Sequence, residues 1–186
     1  MGRLRIVAGE LKGRRIDVPA HAGLRPTADR VREALFSILH DRVSGARVLD
    51  AYCGSGALGF EALSRGAARA TFIDADREIV SCVRSTALRL GVEPSCEFLL
   101  GRVVPLLRSR VVAGRFELIL ADPPYASGEG AEFLATAGPL VADGGTIVIE
   151  RDRREPPAPA PGGLGLVRTA SYGRTCLDFF GPSPGG

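Results

Sequence analysis

Short apolar runs alternate with helical stretches along most of this chain, and that alternation leaves few architectures open. Arg47-Val48-Leu49-Asp50-Ala51, Arg69-Ala70-Thr71-Phe72-Ile73-Asp74, a run near 96–100, Phe116-Glu117-Leu118-Ile119-Leu120-Ala121 and Thr146 to Glu150 read as buried strands. Between them, the spacing predicts helices over roughly 28–42, from the turn after Cys53 to about Arg65, and over 77–90, 102–112 and 129–141. Strands that alternate with helices imply an α/β fold with a parallel sheet and right-handed crossovers. Such sheets bind ligands at the carboxyl ends of their strands. Leu164 to Thr169 and Thr175 to Phe180, flanking Tyr172-Gly173-Arg174, predict a closing hairpin with antiparallel pairing at the far edge.

Three of these strands deliver an acid to that end. Asp50 closes the first and is followed by Cys53-Gly54-Ser55-Gly56-Ala57-Leu58-Gly59, the strand, glycine turn and helix start of a nucleotide site. NAD enzymes, S-adenosylmethionine enzymes and structural turns all use such a turn. Asp74 closes the second strand, where a carboxylate accepts both hydroxyls of a ribose. Asp50 sits where it can hold a cationic amino group, as the methionine end of S-adenosylmethionine requires, whereas it would repel a pyrophosphate. After the fourth strand comes Asp122-Pro123-Pro124-Tyr125. Two prolines stiffen the loop and remove two N–H donors, so an acid, free carbonyls and an aromatic face meet, a set that suits a planar base with an exocyclic amine. The convergence predicts a base-modifying methyltransferase.

Charge places the polyanion contact at the amino terminus. Residues 1–32 carry eight basic against three acidic side chains, more than the whole chain's net +3. Leu4 to Ala8 and Arg14 to Val18, joined by Gly9-Glu10-Leu11-Lys12-Gly13, read as a basic hairpin too small to fold alone. Pro19 to Pro26 is a connector, and Thr27 caps the first long helix, with Arg30 and Arg32 off its apolar stripe and facing a ligand. The candidate RNA contacts are Arg3, Arg5, Lys12, Arg14, Arg15, Arg25, Thr27 and Arg30. The expected organisation is a basic arm over 1–26, a catalytic domain over 27–181 containing a Pro/Ala-rich flexible loop at 152–163, and a disordered tail over 182–186.

At 186 residues with 45% hydrophobic and 24% charged, the chain fits one globular domain. The absence of long apolar runs or a signal-like start predicts a cytoplasmic protein. Four scattered cysteines form no metal or disulfide pattern, so they are expected to be reduced and buried, with no metal site. His21 and His40 read as loop and helix-surface residues, and Glu33 and Glu61 as surface charges or local ion pairs. Tyr52 either lines the cofactor pocket or packs in the core.

Arg5-Ile6-Val7-Ala8-Gly9 with Gly13-Arg14-Arg15, Arg25-Pro26-Thr27 leading into Asp29 to Phe36, Asp50 to Gly59, DPPY and Tyr172-Gly173-Arg174-Thr175 together resemble the RsmD family of bacterial 16S ribosomal RNA guanine-N2 methyltransferases. The resemblance covers nearly the whole chain. It implies a Rossmann-like seven-stranded methyltransferase fold and S-adenosylmethionine-dependent methylation of one guanine, conventionally position 966, with small-subunit RNA as partner and a monomeric enzyme. The cofactor positions are then Asp50, Cys53, Gly54, Ser55, Gly56, Asp74, Ala75 and Asp122, and the catalytic loop is Asp122, Pro123, Pro124 and Tyr125. Gly101-Arg102 departs from the acid or amide that many relatives place after strand three, and Arg174 stands where relatives often have an acid. Alternatives are a DNA adenine-N6 methyltransferase, a non-catalytic ribosome-assembly factor and an NAD oxidoreductase.

Overall fold

The computed structural model describes residues 3–18, 28–123 and 129–183. Arg25, Thr27, Pro124, Tyr125 and the end of the tail lie outside them. Its elements are β1 (Arg3–Arg5), β2 (Arg15–Asp17), α1 (Ala28–Leu39), β3 (Arg47–Ala51), α2 (Ala57–Ser64), β4 (Arg69–Asp74), α3 (Arg77–Leu90), β5 (Cys96–Leu100), α4 (Val103–Arg108), β6 (Phe116–Ala121), α5 (Glu129–Ala137), β7 (Val141–Asp152), β8 (Leu164–Tyr172) and β9 (Thr175–Pro182). Seven strands form one sheet in the order β5-β4-β3-β6-β7-β9-β8, and β1 with β2 forms a separate antiparallel pair. β5 through β7 are parallel, so the chain winds outward from β3 in one direction and then returns to build from β6 in the other. That reversal opens a crevice between the carboxyl ends of β3 and β6.

Alternation along the strands supplies two apolar faces. Leu49, Ile119 and Ile147 pack with Phe133 and Phe180 beneath α4 and α5. Val48, Leu118, Leu120 and Val148 pack on the other face against Leu35 and Phe36 of α1. A third cluster joins Ile6 and Ile16 of the hairpin to Phe60 and Phe72, so the small pair gains the core it cannot build alone.

Several predicted elements change length for local reasons. The first helix ends at Leu39 and tightens into a 3-10 turn over His40–Arg42. The 102–112 helix is only Val103–Arg108, ahead of Arg110 at φ 59. Pro139 lies in the 3-10 turn Gly138–Leu140 that follows α5, and β7 begins five residues before its predicted start. The closing hairpin forms, but β9, antiparallel to both neighbours, lies one place in from the edge. Its Cys176 to Gly181 are buried, whereas β8 is largely exposed, so the more apolar strand takes the covered position. Buried Asp178 on β9 is met by the Arg151 guanidinium at 2.5 Å and the Thr169 hydroxyl at 2.7 Å. The Pro/Ala-rich stretch has no regular element, yet Ala158 packs against the core beside α5 and Arg153 N–H donates to the Arg174 carbonyl at 2.7 Å.

Among the described residues no helix is long and apolar enough to cross a membrane. The four cysteines are unbridged; Cys53 and Cys176 are buried, but Cys82 and Cys96 are only half-buried.

Candidate active site

The turn after β3 is built on left-handed backbone: Tyr52 at φ 59, Gly54 at 51 and Gly56 at 72. A side chain on Gly56 would meet Phe60 at 2.9 Å, so the turn can close on α2 only without one. At Gly54 a Cβ would meet nothing within 4 Å; glycine serves the backbone there and leaves its face open. Asp74 reaches across from β4, accepting the Gly54 N–H and the Asp76 N–H at 3.0 Å each, which ties the turn to the second strand. Each carboxylate oxygen retains a lone pair for a ligand hydroxyl.

Asp50 is 2% exposed and accepts the Gly59 N–H at 2.8 Å. Burial pushes its carboxyl up to about 8; the Gly59 hydrogen bond opposes this, and the charges of Asp74 and Asp122 add to it. Binding a cation beside it would relieve that penalty. Gly59, absent from the predicted site residues, matters twice, as this donor and because a Cβ there would lie 2.3 Å from the Phe72 ring. Burial, reinforced by Asp50 and Asp74, pushes the Cys53 thiol well up, so it is a protonated wall rather than a nucleophile. Tyr52 packs against the core and also lines the cavity. Its ring packs edge-on against Phe133 and its hydroxyl donates to Glu129 at 2.9 Å, while it also faces the cavity.

That cavity has a volume of about 280 Å³. Asp50, Cys53, Gly54 and Ser55 line one side and Asp122 another. The far wall is Glu150 of β7 with Thr175 and Leu177 of β9, and the roof comes from α1 and from Leu4 and Val18 of the hairpin. Gly56, Asp74 and Ala75 do not line it; Asp74 ends β4 and the exposed Ala75 follows it, on the other side of the turn. Pro123 is buried and Asp122 exposed at the mouth.

The basic residues are less concentrated than their sequence suggests. The hairpin lies along α2, with its tip at the helix's far end: Glu10 N–H donates to the Ser64 carbonyl at 2.8 Å and Leu11 N–H to the Ser64 hydroxyl at 3.0 Å. Exposed Lys12 at that tip is thus about 12 Å, the length of an eight-residue helix, from the glycine turn. Arg14 and Arg15 are exposed along the flank and meet Arg89 of α3: Arg14 donates to the Arg89 carbonyl at 3.1 Å and Arg89 to the Arg15 carbonyl at 2.9 Å. Arg89 also pairs with Asp17 at 2.9 Å, so it braces the flank more than it adds charge, and no local pattern marks it because 74 residues separate it from Arg15. Arg5 and Arg30 are exposed nearer the cavity.

Two expectations hold only in part. Arg32 does line the cavity, but it is 3% exposed and its guanidinium meets the Arg5 carbonyl at 2.6 Å, Asp29 at 2.9 Å and Glu61 at 3.4 Å. Of the two readings of Glu61, the local ion pair holds, with Arg65 one turn on at 2.8 Å, but the residue is buried and no surface charge. Fully buried, it accepts the Val7 and Ala8 N–H groups at 2.8 and 3.0 Å and pairs with Arg65 as well as Arg32. Helical periodicity places both residues without revealing that the hairpin would cover them.

The family model described as Conserved hypothetical protein 95 matches residues 4–181. Ribosomal RNA small subunit methyltransferase D of Escherichia coli is 34% identical over 96% of this chain and 90% of its own length. The solved structure of yhhF from Escherichia coli superimposes with a TM-score of 0.83 at 32% identity, covering 96% of this chain and 97% of that one. A structure from Thermus thermophilus, TTHA0928, gives 0.79 at 31%, covering 95% and 98%.

Proposed function

The chain belongs to the RsmD family and is an rRNA methyltransferase, and from that premise we propose that it transfers the methyl group of S-adenosylmethionine to N2 of a guanine in 16S ribosomal RNA. The observation that carries this is a single cavity joining buried Asp50 to Asp122 at the reversal of a parallel sheet. A carboxyl held up near 8 by burial among other acids fits the cationic amino end of the donor, and Asp74 with its remaining lone pairs fits the ribose. Asp50, Asp74 and the Cys53 to Gly56 turn would hold S-adenosylmethionine, with Ala75 beside the adenosine. When bound, the donor supplies an electrophilic methyl on a sulfonium.

The chain's part is to make a poor nucleophile a good one. The guanine N2 lone pair is conjugated with the ring, so the Asp122 carboxylate and Pro123 carbonyl accept the two amine hydrogens and turn the lone pair out of conjugation. Tyr125, outside the described residues, is the aromatic platform that the sequence assigns to the base. The methylated amine is acidic and gives its proton to Asp122 or to water after transfer. A base must leave its stack to reach this cavity, and Arg5, Arg30 and the basic flank hold the neighbouring phosphates. The reading places the protein in the cytoplasm as a monomer acting on the small subunit or its RNA, with 1–26 as the RNA-contacting arm of a domain over 27–181.

The test is labelled methyl transfer to small subunits lacking the modification, to naked 16S RNA and to duplex DNA, followed by digestion to nucleosides. N2-methylguanosine is the expected product, lowered about 100-fold or more in Asp122→Asn. N6-methyladenine would move the enzyme to DNA or adenine chemistry. Donor binding without transfer to any of the three would sink the substrate assignment.

A further inference from the structure

The catalytic cavity lies at the carboxyl ends of the strands, and a second cavity, of about 410 Å³, opens at their amino ends. That is room for a small ligand. α4 stops at Arg108, so on its face of the sheet the chain from 109 to 116 borders the starts of β3 and β4, and Ala113 and Phe116 line this cavity with Arg47, Arg69, Thr71 and Glu97. Arg47 stands opposite Arg69 in the parallel register, two residues before Leu49 and Thr71. Their stems leave one face of strands about 4.8 Å apart, and like charges so placed repel until an anion joins them. Arg47 is fixed: its Nη2 donates to the Ala113 carbonyl at 3.3 Å, its guanidinium lies 5.5 Å from the Phe116 ring centroid, and a Cβ on Gly114, at φ 92, would meet its Nη1 at 2.6 Å. Among the described residues no carboxylate pairs with either guanidinium. Two acids nearby are held elsewhere. Glu117 accepts the Arg47 backbone N–H at 2.7 Å and lies outside the lining, and Glu97 accepts the Thr71 hydroxyl at 3.1 Å through Oε2, which leaves Oε1 to a ligand.

We propose that this cavity binds a nucleotide through its phosphate, with Arg47 and Arg69 donating to the phosphate oxygens and the Glu97 carboxylate accepting a sugar hydroxyl. A phosphate takes the guanidinium contacts that two adjacent arginines offer and removes their mutual repulsion. Glu97, which stands opposite Thr71 and so two residues along the face from Arg69, would repel the phosphate itself. It therefore sets the ligand's direction, phosphate toward the arginines and hydroxyls toward the acid. Five steps of β4, roughly 16 Å, separate Arg69 from Asp74, so this ligand and the methyl donor bind without touching. The phosphate belongs either to a free nucleotide or to the RNA chain, which present the same group. The site does not depend on the guanine reading above.

The experiment titrates the full chain, with S-adenosylhomocysteine present to fill the catalytic cavity, with uridine 5′-monophosphate, uridine and inorganic phosphate, and follows binding by calorimetry. Wild type should bind the monophosphate about tenfold or more tightly than uridine, and Arg69→Ala should remove most of that advantage while leaving S-adenosylhomocysteine affinity unchanged. Glu97→Ala should weaken the monophosphate and spare inorganic phosphate. 16S RNA binding across a salt series then separates the two sources of the phosphate. If it comes from RNA, Arg69→Ala lowers the slope by about one contact and the monophosphate competes with RNA; if the slope stands, the ligand is the free nucleotide. Monophosphate bound no more tightly than uridine, or equally well by Arg69→Ala, overturns the inference. So does an Arg69→Ala protein that loses S-adenosylhomocysteine affinity in the same proportion, because the substitution would then be acting on the sheet as a whole.

Discussion

The two halves of α2 each hold a buried carboxylate and use it in opposite ways. Near its start, Gly59 offers one N–H to Asp50, which faces a cavity among other acids and is pushed up to about 8. Near its end, Glu61 receives two backbone N–H groups and two guanidinium partners, all from the chain itself. A buried acid whose partners the fold supplies is a clamp; one left short of positive charge beside a cavity is a receptor. The same helix therefore fastens the hairpin at one end and prepares the cofactor site at the other.

Breaking the clamp should have the largest effect. Glu61→Ala would strand Arg32 and the Val7 and Ala8 N–H groups, at a cost of about 3–5 kcal/mol read as a lower urea midpoint. An unchanged midpoint would show that apolar burial of Ile6 and Ile16 holds the hairpin unaided.

Altering the receptor should cost less stability and more binding. Asp50→Asn is expected to weaken S-adenosylmethionine binding about tenfold or more. The sign with pH follows from burial: native Asp50 keeps its proton up to about 8, whereas the unfolded carboxyl loses it near 3.8. Between those values the native state binds more protons, so this contribution to stability is full below the lower value and is lost as pH rises to the upper one. The ligand-free protein should lose stability across that window, and Asp50→Asn should flatten the decline. Calorimetry near pH 7 in buffers of different ionisation enthalpy should detect proton release as donor binds to wild type, and none in the variant.

The smallest effect belongs to the hairpin tip. Lys12→Ala should lower the salt dependence of RNA binding by about one phosphate contact and leave donor affinity unchanged, as measured by RNA binding across a salt series. A fall in turnover at saturating RNA would mean that the tip acts on the distant cavity.

How much of this was legible follows from the range of each interaction. The acids at the ends of β3 and β4 and after β6, and the glycine turn, are local patterns, so the sequence places them on the right strands. Glu61 and Arg32 were legible only in part, as a local ion pair and a cavity-facing residue, because a helix surface and a buried clamp share one periodicity until another element lands on it. Gly59 was legible only as the last glycine of the turn motif, because its clash with Phe72 crosses from α2 to β4. Glu150 read as the end of a strand, and only the order of the strands in the sheet brings it to the cavity that Asp122 also lines.

The sequence by itself determined the strand and helix alternation, the α/β class, the acids at the carboxyl ends and the excess of arginine at the amino end, because each depends on residues within a few positions of one another. Tertiary structure alone decided which acids share a cavity, which are clamped, and where the basic tip lies. Those depend on strand order and on the docking of the hairpin along α2, contacts between residues more than 50 positions apart that no local periodicity encodes.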